Sequence, residues 1–404
     1  MSGSFEIYDK NTIVIDDITD DIFTEIIKYN KISINYYTKE YYTLSIKDKD
    51  DFSDKNKIRL CENFNKSIDI LSNFDNITHI ILNLTYNIPI TKLPKNLTHL
   101  ILSEYFGKHA YDNIGYNHPL PELPETLTHL ILNNKYNHPF KKLPKNLTHL
   151  ILGTEYKHPL PELPETLKYL SVNNRDILSN MLLPTNLEHF ICYDYIFTPI
   201  KLPENIKSLV LNIYYKINEL PKNLVFLDLE YNYQQLPELP ETLKYLNLNC
   251  KSQSLSYINK TIFTLPILPA SLTHLKINLC SYLILEKIYN LPPYLTHLSI
   301  NCYYSYSLND LPQGLLYLNL QDYEGEINDL PNTLKELYIY SCCRHYKINM
   351  LPESIEILDI PNYMTRIEKL PANLKKLRVY YQSQHLLDYE KFNDLGIEVI
   401  YQKP

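Results

Sequence analysis

The 404-residue chain contains no tryptophan and only 7 glycines, 7 cysteines and 4 methionines. The cysteines are odd in number, widely scattered and include no Cys-x-x-Cys pair, which excludes a disulfide framework and predicts reduced thiols. No stretch approaches the roughly 18 to 20 uninterrupted apolar residues that cross a bilayer, and the first residues lack the apolar core of a signal peptide. We therefore expect a soluble cytoplasmic protein with no membrane partner.

Positive charge is not in excess. The 39 basic side chains are outnumbered by 46 acidic ones, which gives a formal net charge of −7 at pH 7. Proteins that bind nucleic acid usually carry a basic patch, so we expect no nucleic-acid partner. The 45% of hydrophobic residues is enough to bury a substantial core and excludes a disordered chain.

Signatures of catalysis are also absent from the sequence. It has no glycine-rich phosphate loop, no Gly-x-Ser-x-Gly and no His-Glu-x-x-His, and no cysteine is placed as a nucleophile beside a unique histidine. We therefore predict that the protein is not an enzyme and has no catalytic residues, no cofactor and no metal site.

What the chain does contain is an internal repeat of about 20 residues. Fourteen Leu-Pro dipeptides, from Leu93 to Leu370, stand in one frame, and apolar residues follow each leucine at positions +4, +7 and +9. A helix-pair repeat needs roughly 33 residues or more. The alternation of +7 and +9 has the two-residue period of a strand, and the repeated proline excludes a helical return. Each repeat is therefore predicted to form one short parallel strand and one extended return.

Three segments resemble a known family. They are Tyr86–Ile90, Tyr116–Leu120 and Tyr136–Phe140, which share Tyr-Asn-x-Pro and are each followed by Leu-Pro-x-x-Leu-x-x-Leu-x-Leu. This pattern resembles the FNIP repeat, a leucine-rich-repeat relative common in social amoebae and giant amoebal viruses. The resemblance is specific over residues 86–172, while later repeats keep only the Leu-Pro half. The Leu-Pro-Glu-Leu-Pro-Glu-Thr-Leu runs, such as 120–127, also resemble the repeats of bacterial leucine-rich effectors.

Both resemblances imply a mainly β repeat solenoid that binds a protein partner of unknown identity, in the host cytoplasm if the chain is viral. We predict a leucine-rich-repeat-like, right-handed coil of short parallel strands with extended, polyproline-like convex returns and small α-containing caps. Residues 73–380 form about 15 repeats, residues 381–404 a C-terminal cap, and residues 1–72 an N-terminal cap. The segments 103–116 and 250–265 are longer than a repeat requires and are predicted to loop out of the stack.

The N-terminal segment has two interpretations. Acidic residues lead and apolar residues recur at helical spacing near residues 17–29, which predicts a short amphipathic helix. It either covers the first repeat as a hydrophobic cap or represents a degenerate F-box, whose first helix it resembles. The F-box resemblance implies an alternative function, in which the chain docks a cullin-RING ubiquitin ligase adaptor and acts as a substrate receptor.

The candidate partner site follows from the strand alternation. Positions +7 and +9 are expected to point into the core, so +6, +8 and +10 should line the concave face. In the first half +8 is isoleucine in four repeats, serine at 171 and valine at 210, and exposed apolar side chains usually mark a partner site. The alternative is that a loop or the N-terminal segment covers them and makes them core. We predict as partner-binding residues Ile101, Ile131, Ile151, Ile191, His99, His129, His149 and Tyr169.

Two other rows share this face. Position +10 is rich in asparagine, which could bind a peptide backbone or reflect composition alone. The stacked histidines at +6 should disfavour being charged together, so we expect them neutral at pH 7. Stability or partner affinity should then fall between about pH 7 and 5.

Overall fold

A computed structural model describes residues 42–44, 55–61, 64–102, 115–178, 181–197, 199–213, 217–231, 236–250, 261–280, 283–304, 306, 308, 311–323, 329–340, 351–360, 369–380 and 397–402. Two compact units divide the chain, residues 1–212 and 213–404. In both, short parallel strands alternate with extended returns, which confirms the predicted leucine-rich-repeat-like β-solenoid.

In the first unit one strand per repeat pairs in parallel with the strand of the next repeat. The described part holds two short helices, the five-residue 3-10 helix Asp69–Asn73 and the four-residue α-helix Arg175–Leu178. Strands β1 to β8 pair in chain order. The strands are β1 (Tyr42–Leu44), β2 (Lys57–Leu60), β3 (His79–Ile81), β4 (His99–Ile101), β5 (His129–Ile131), β6 (His149–Ile151), β7 (Tyr169–Val172), β8 (His189–Ile196) and β9 (Ser208–Ile213).

In the second unit most strands are longer. The main sheet pairs its strands in chain order, and β12 pairs with β14 in a separate two-stranded parallel sheet. The strands are β10 (Phe226–Tyr231), β11 (Tyr245–Cys250), β12 (Thr261–Phe263), β13 (His274–Leu279), β14 (Leu283–Leu285), β15 (His297–Tyr304), β16 (Tyr317–Tyr323), β17 (Glu336–Tyr340), β18 (Ile357–Asp359), β19 (Lys376–Tyr380) and β20 (Glu398–Gln402).

The Leu-Pro dipeptide starts each repeat with a turn. The backbone N–H of Leu97 donates to the Pro94 carbonyl at 3.2 Å, and Leu127 donates to Pro124 at 3.0 Å. Proline fits because its φ is preset for a turn and its missing N–H is not needed there. The +7 side chains that follow are 0–2% exposed throughout, which confirms the predicted inward orientation. Burial of each such leucine contributes about 1.5 to 3 kcal/mol.

The Tyr-Asn-x-Pro segments join neighbouring repeats in the first unit. Their tyrosines Tyr86, Tyr116 and Tyr136 are 0–1% exposed, as is Tyr156 of the related Tyr-Lys-His-Pro segment, and the rings stack with centroids 6.3–6.4 Å apart. The residue after each tyrosine adds a hydrogen bond, because Asn117 Oδ1 accepts the Asn137 N–H at 3.0 Å. The motif therefore has a structural role, since each copy bonds to the copy in the next repeat.

Asparagine also determines where the early strands end. Asn133 Oδ1 accepts the Lys135 N–H at 2.9 Å, an Asx turn that follows the three-residue strand β5. Gly153 takes the corresponding position one repeat later, where a Cβ would lie 1.9 Å from the Asn133 carbonyl oxygen. Only glycine allows this close approach of two backbones.

Several predictions concern residues outside the described part. These are the helix near 17–29 with its F-box interpretation, residues 381–396 of the C-terminal cap, and most of both inserted segments, at 103–114 and 251–260. The domain boundaries stay predictions, and strands β1 and β2 lie upstream of residue 73. Among the described residues no helix has the length and apolarity needed to span a membrane.

Candidate functional site

The predicted partner site lies on the outward face of the sheet, by which we mean the face formed by positions +6, +8 and +10 of each repeat. The register places Ile101, Ile131 and Ile151 side by side on neighbouring strands. Their side chains, and that of Ile191, are only 0–5% exposed. The expectation of an exposed apolar patch is therefore wrong.

The reason for the error is physical. Strand alternation determines which face a side chain occupies, but exposure depends on what packs over that face. In the +6 row Tyr169 is 1% and His189 3% exposed, whereas His99, His129 and His149 are half-buried. Binding of a partner by these isoleucines stays a prediction, and it requires that they first become accessible.

The histidines of the +6 row form a stacked column. The rings of His79, His99, His129 and His149 lie face to face, with centroids 4.0–4.1 Å apart and planes within 12° of parallel. Tyr169 continues the column at 5.8 Å from His149. The structure thus brings together all four predicted +6 residues: His99, His129, His149 and Tyr169.

Threonine hydroxyls determine which nitrogen of each imidazole ring carries the proton. In each repeat Nδ1 lies 2.8–2.9 Å from the Oγ1 of the preceding threonine. That hydroxyl donates its only proton to the backbone carbonyl of the threonine one repeat earlier, at 3.0–3.1 Å. Nδ1 must therefore carry the ring proton and donate to Oγ1, which leaves the lone pair on Nε2.

The column stays neutral far below the usual range of histidine. Burial, reinforced by neighbouring imidazoles, lowers the pKa of His99 to about 2 and those of His129 and His149 to about 3. Parallel rings direct their Nε2 lone pairs side by side, so the lone pairs do not converge on one ion as zinc ligands do. Among the described residues no group of three or more His, Cys, Asp or Glu is arranged to hold a metal.

The outward face of the second unit is different. Tyr245, His274, His297 and Tyr317 form a ring column at +6, with centroids 4.1–5.6 Å apart, and each ring is half-buried. At +8, Lys276 is exposed and Asn319 is half-buried. This part of the sheet therefore presents aromatic and polar side chains that a partner could reach.

A ladder of asparagines crosses the same face at +10. Asn301 Nδ2 donates to Asn278 Oδ1 at 2.6 Å, and Asn278 Nδ2 donates to Asn249 Oδ1 at 2.6 Å. Asn249 Nδ2 in turn donates to Asp228 Oδ1 at 3.1 Å. The asparagine side chains therefore hydrogen-bond primarily to one another. The sequence indicated a row of asparagines at +10, but it did not predict the longer strands that bring their side chains into hydrogen-bonding distance.

The buried cysteines have no nucleophilic role. Cys192, Cys250 and Cys302 are free thiols with 0–5% exposure, and burial raises the pKa of each to about 12. They are therefore protonated at neutral pH and act as small apolar core residues.

Comparisons with known proteins agree with this architecture. The FNIP Repeat family model matches residues 116–155, 136–174 and 322–363, and the last of these ranges contains no Tyr-Asn-x-Pro segment. No curated protein sequence is significantly similar to the chain.

Several solved structures share the fold. CroV588, a circular leucine-rich-repeat protein, is 23% identical with a TM-score of 0.54, and the match covers 87% of this chain and 57% of CroV588. YopM from Yersinia enterocolitica is 23% identical with a TM-score of 0.54, and the match covers 86% of this chain and 76% of YopM. The leucine-rich effector YopM from Yersinia pestis is 22% identical with a TM-score of 0.53, and the match covers 75% of this chain and 83% of that protein. The chain thus carries FNIP repeats within a parallel β-solenoid of the leucine-rich-repeat type.

Proposed function

We propose that the protein is a non-catalytic scaffold that binds a protein partner on the outward face of strands β11 to β17. The observation that carries this proposal is the half-buried ring column of Tyr245, His274, His297 and Tyr317 beside polar residues. Interfaces are enriched in aromatic side chains surrounded by polar groups.

The first unit is a weaker candidate for direct contact. Its isoleucines at +8 are buried, so they offer almost no surface to a partner. The second unit presents at the same repeat positions groups that combine a large contact area with hydrogen bonding. Tyrosine contributes strongly at interfaces because it is large and loses few rotatable bonds on binding.

A capture experiment with matched variants tests the proposal. The tagged full-length protein is used to capture partners from an amoebal cell lysate, and the same is done with Tyr245→Ser/Tyr317→Ser. The control is Tyr289→Ser/Tyr294→Ser, since these tyrosines are 75% and 70% exposed but lie off the outward face. We expect the first pair to abolish capture and the control to retain it, with both variants folded by circular dichroism. Equal capture by both pairs would refute the proposed face.

The same experiment addresses the alternative function. An F-box-like N-terminus would bring a ubiquitin ligase adaptor and a cullin into the captured material. Those subunits should persist in Tyr245→Ser/Tyr317→Ser, because they would bind residues 1–40 and not the sheet. Their absence would leave the scaffold function without a ligase role.

A further inference from the structure

Three hydrogen-bonding atoms on the outward face of β15 and β16 lack partners among the described residues. They are Ser299 Oγ, Asn301 Oδ1 and Asn319 Oδ1, and all three atoms are buried. Ser299 and Asn319 are register partners on the two strands, and Ser299 is only 7% exposed. Buried polar atoms in folded proteins are nearly always hydrogen-bonded, so this cluster requires an explanation.

The asparagine ladder ends at this cluster. Each amide donates toward the carboxylate of Asp228, so the amide dipoles of Asn249, Asn278 and Asn301 are aligned in one direction. Hydrogen bonds in such a chain polarise one another. The last oxygen, Asn301 Oδ1, therefore becomes a stronger acceptor than an isolated amide oxygen.

We propose that this cluster binds the guanidinium group of an arginine on a partner protein. The proposal rests on the scaffold function and names the chemistry that its face recognises. Two amide oxygens can only accept hydrogen bonds, so the ligand must be a donor. A guanidinium presents five N–H donors in a planar fork, which suits acceptors placed on two strands about 4.8 Å apart better than a compact ammonium does.

The charge of this face favours the same ligand. Besides the imidazoles of His274 and His297, strands β10 to β17 place on it three carboxylates, those of Asp228, Glu230 and Glu336. The opposite charge comes from one ammonium, that of Lys276, which is exposed and therefore solvated.

An NMR titration of the full chain with N-acetyl-arginine methylamide tests the site. We expect shifts in the side-chain amide signals of Asn301 and Asn319, and at least about tenfold weaker binding of the citrulline analogue, which has the same shape without the charge. Asn319→Leu and Ser299→Ala should each weaken arginine binding by about tenfold, because each removes an acceptor. Equal binding of arginine and citrulline, or arginine binding unchanged in both variants, would overturn the site.

A distant pair of variants tests the ladder. Asp228→Asn removes the charge that polarises the amides without touching the cluster, and we expect about three- to tenfold weaker arginine binding. Glu241→Gln removes an equal charge at an exposed position off the outward face, where solvent screens it, and should change binding less than about twofold. If both variants weaken arginine binding equally, the asparagine ladder does not contribute to it.

The result can be separated from that of the scaffold function. Capture of a partner that is insensitive to Asn319→Leu and to added arginine methylamide would refute the arginine site and leave the scaffold function intact. Wild-type arginine binding by a protein that captures no partner would refute the scaffold function and leave the arginine site intact.

Discussion

Acid should destabilise the first unit through its histidine column. The perturbation is a fall in pH from 7 to 5. In the folded protein the pKa values of His99, His129 and His149 are about 2, 3 and 3, whereas an unfolded histidine has a pKa near 6.5. Because the folded values are lowered, the unfolded chain takes up protons first. The stabilisation is therefore complete above about pH 6.5 and is lost progressively as pH falls toward about 3.

The magnitude follows from proton linkage. Below its unfolded pKa each such histidine costs about 1.4 kcal/mol of unfolding free energy per pH unit. Integrated from pH 7 to 5 this is about 2 kcal/mol per histidine, and about 6 kcal/mol for the three as an upper limit. The sequence-based expectation of a loss between pH 7 and 5 thus keeps its direction, but its cause is protonation of the unfolded state and not repulsion in the folded column.

Urea unfolding at pH 7 and pH 5 measures the loss, and two variants isolate its source. Tyrosine occupies the same column at position 169, so His129→Tyr should fold and recover about 2 kcal/mol of the difference. Tyr169→Phe alters the same column without changing a group that titrates in this range, and it should leave the loss unchanged. If His129→Tyr loses as much stability as the wild type between the two pH values, the reasoning is refuted.

Two further predictions concern packing. Leu209→Ala and Leu246→Ala remove side chains that are 0% and 2% exposed and should each cost about 2 to 5 kcal/mol in urea unfolding, whereas Leu182→Ala, at 86% exposure, should cost almost nothing. Losses below about 0.5 kcal/mol at both buried sites would contradict the repeat frame. Ile131→Asp/Ile151→Asp places two charges at 1% and 5% exposure and should unfold the first unit, while Lys276→Asp at the same repeat position is tolerated. A folded double aspartate variant would show that the isoleucines are accessible after all.

The sequence predicted the fold well because one feature determines several others. A leucine at +7 in nearly every repeat defines the inward face, the register and the strand spacing together, and the observed pairs such as Leu100 with Leu130 follow from it. Proline at the start of the repeat then excludes a helix there and favours a turn. A local pattern was sufficient because every interaction in a solenoid is with the adjacent repeat.

The site was harder to predict, since it depends on packing and hydrogen bonds that the spacing of apolar residues does not determine. Alternation correctly placed Ile131 opposite the core, but not the packing that buries it. The pairing of His129 with Thr128 could be anticipated from the repeated Thr-His dipeptide, although the tautomer requires the carbonyl of the preceding repeat. Hydrogen bonds between side chains of different repeats are visible only once the register is known.

Strand length explains why the same repeat position serves different purposes. Where a Tyr-Asn-x-Pro segment follows, the asparagine at +10 turns the chain after a three-residue strand, as Asn133 does. Where that segment is missing, the strand continues to +10 and beyond, and Asn278 stays on the sheet face with its amide bonded along the row. Loss of the structural motif in the later repeats therefore creates the surface on which we place the partner. A repeat with an engineered Tyr-Asn-x-Pro return in the second unit should shorten its strand and interrupt the ladder at that point.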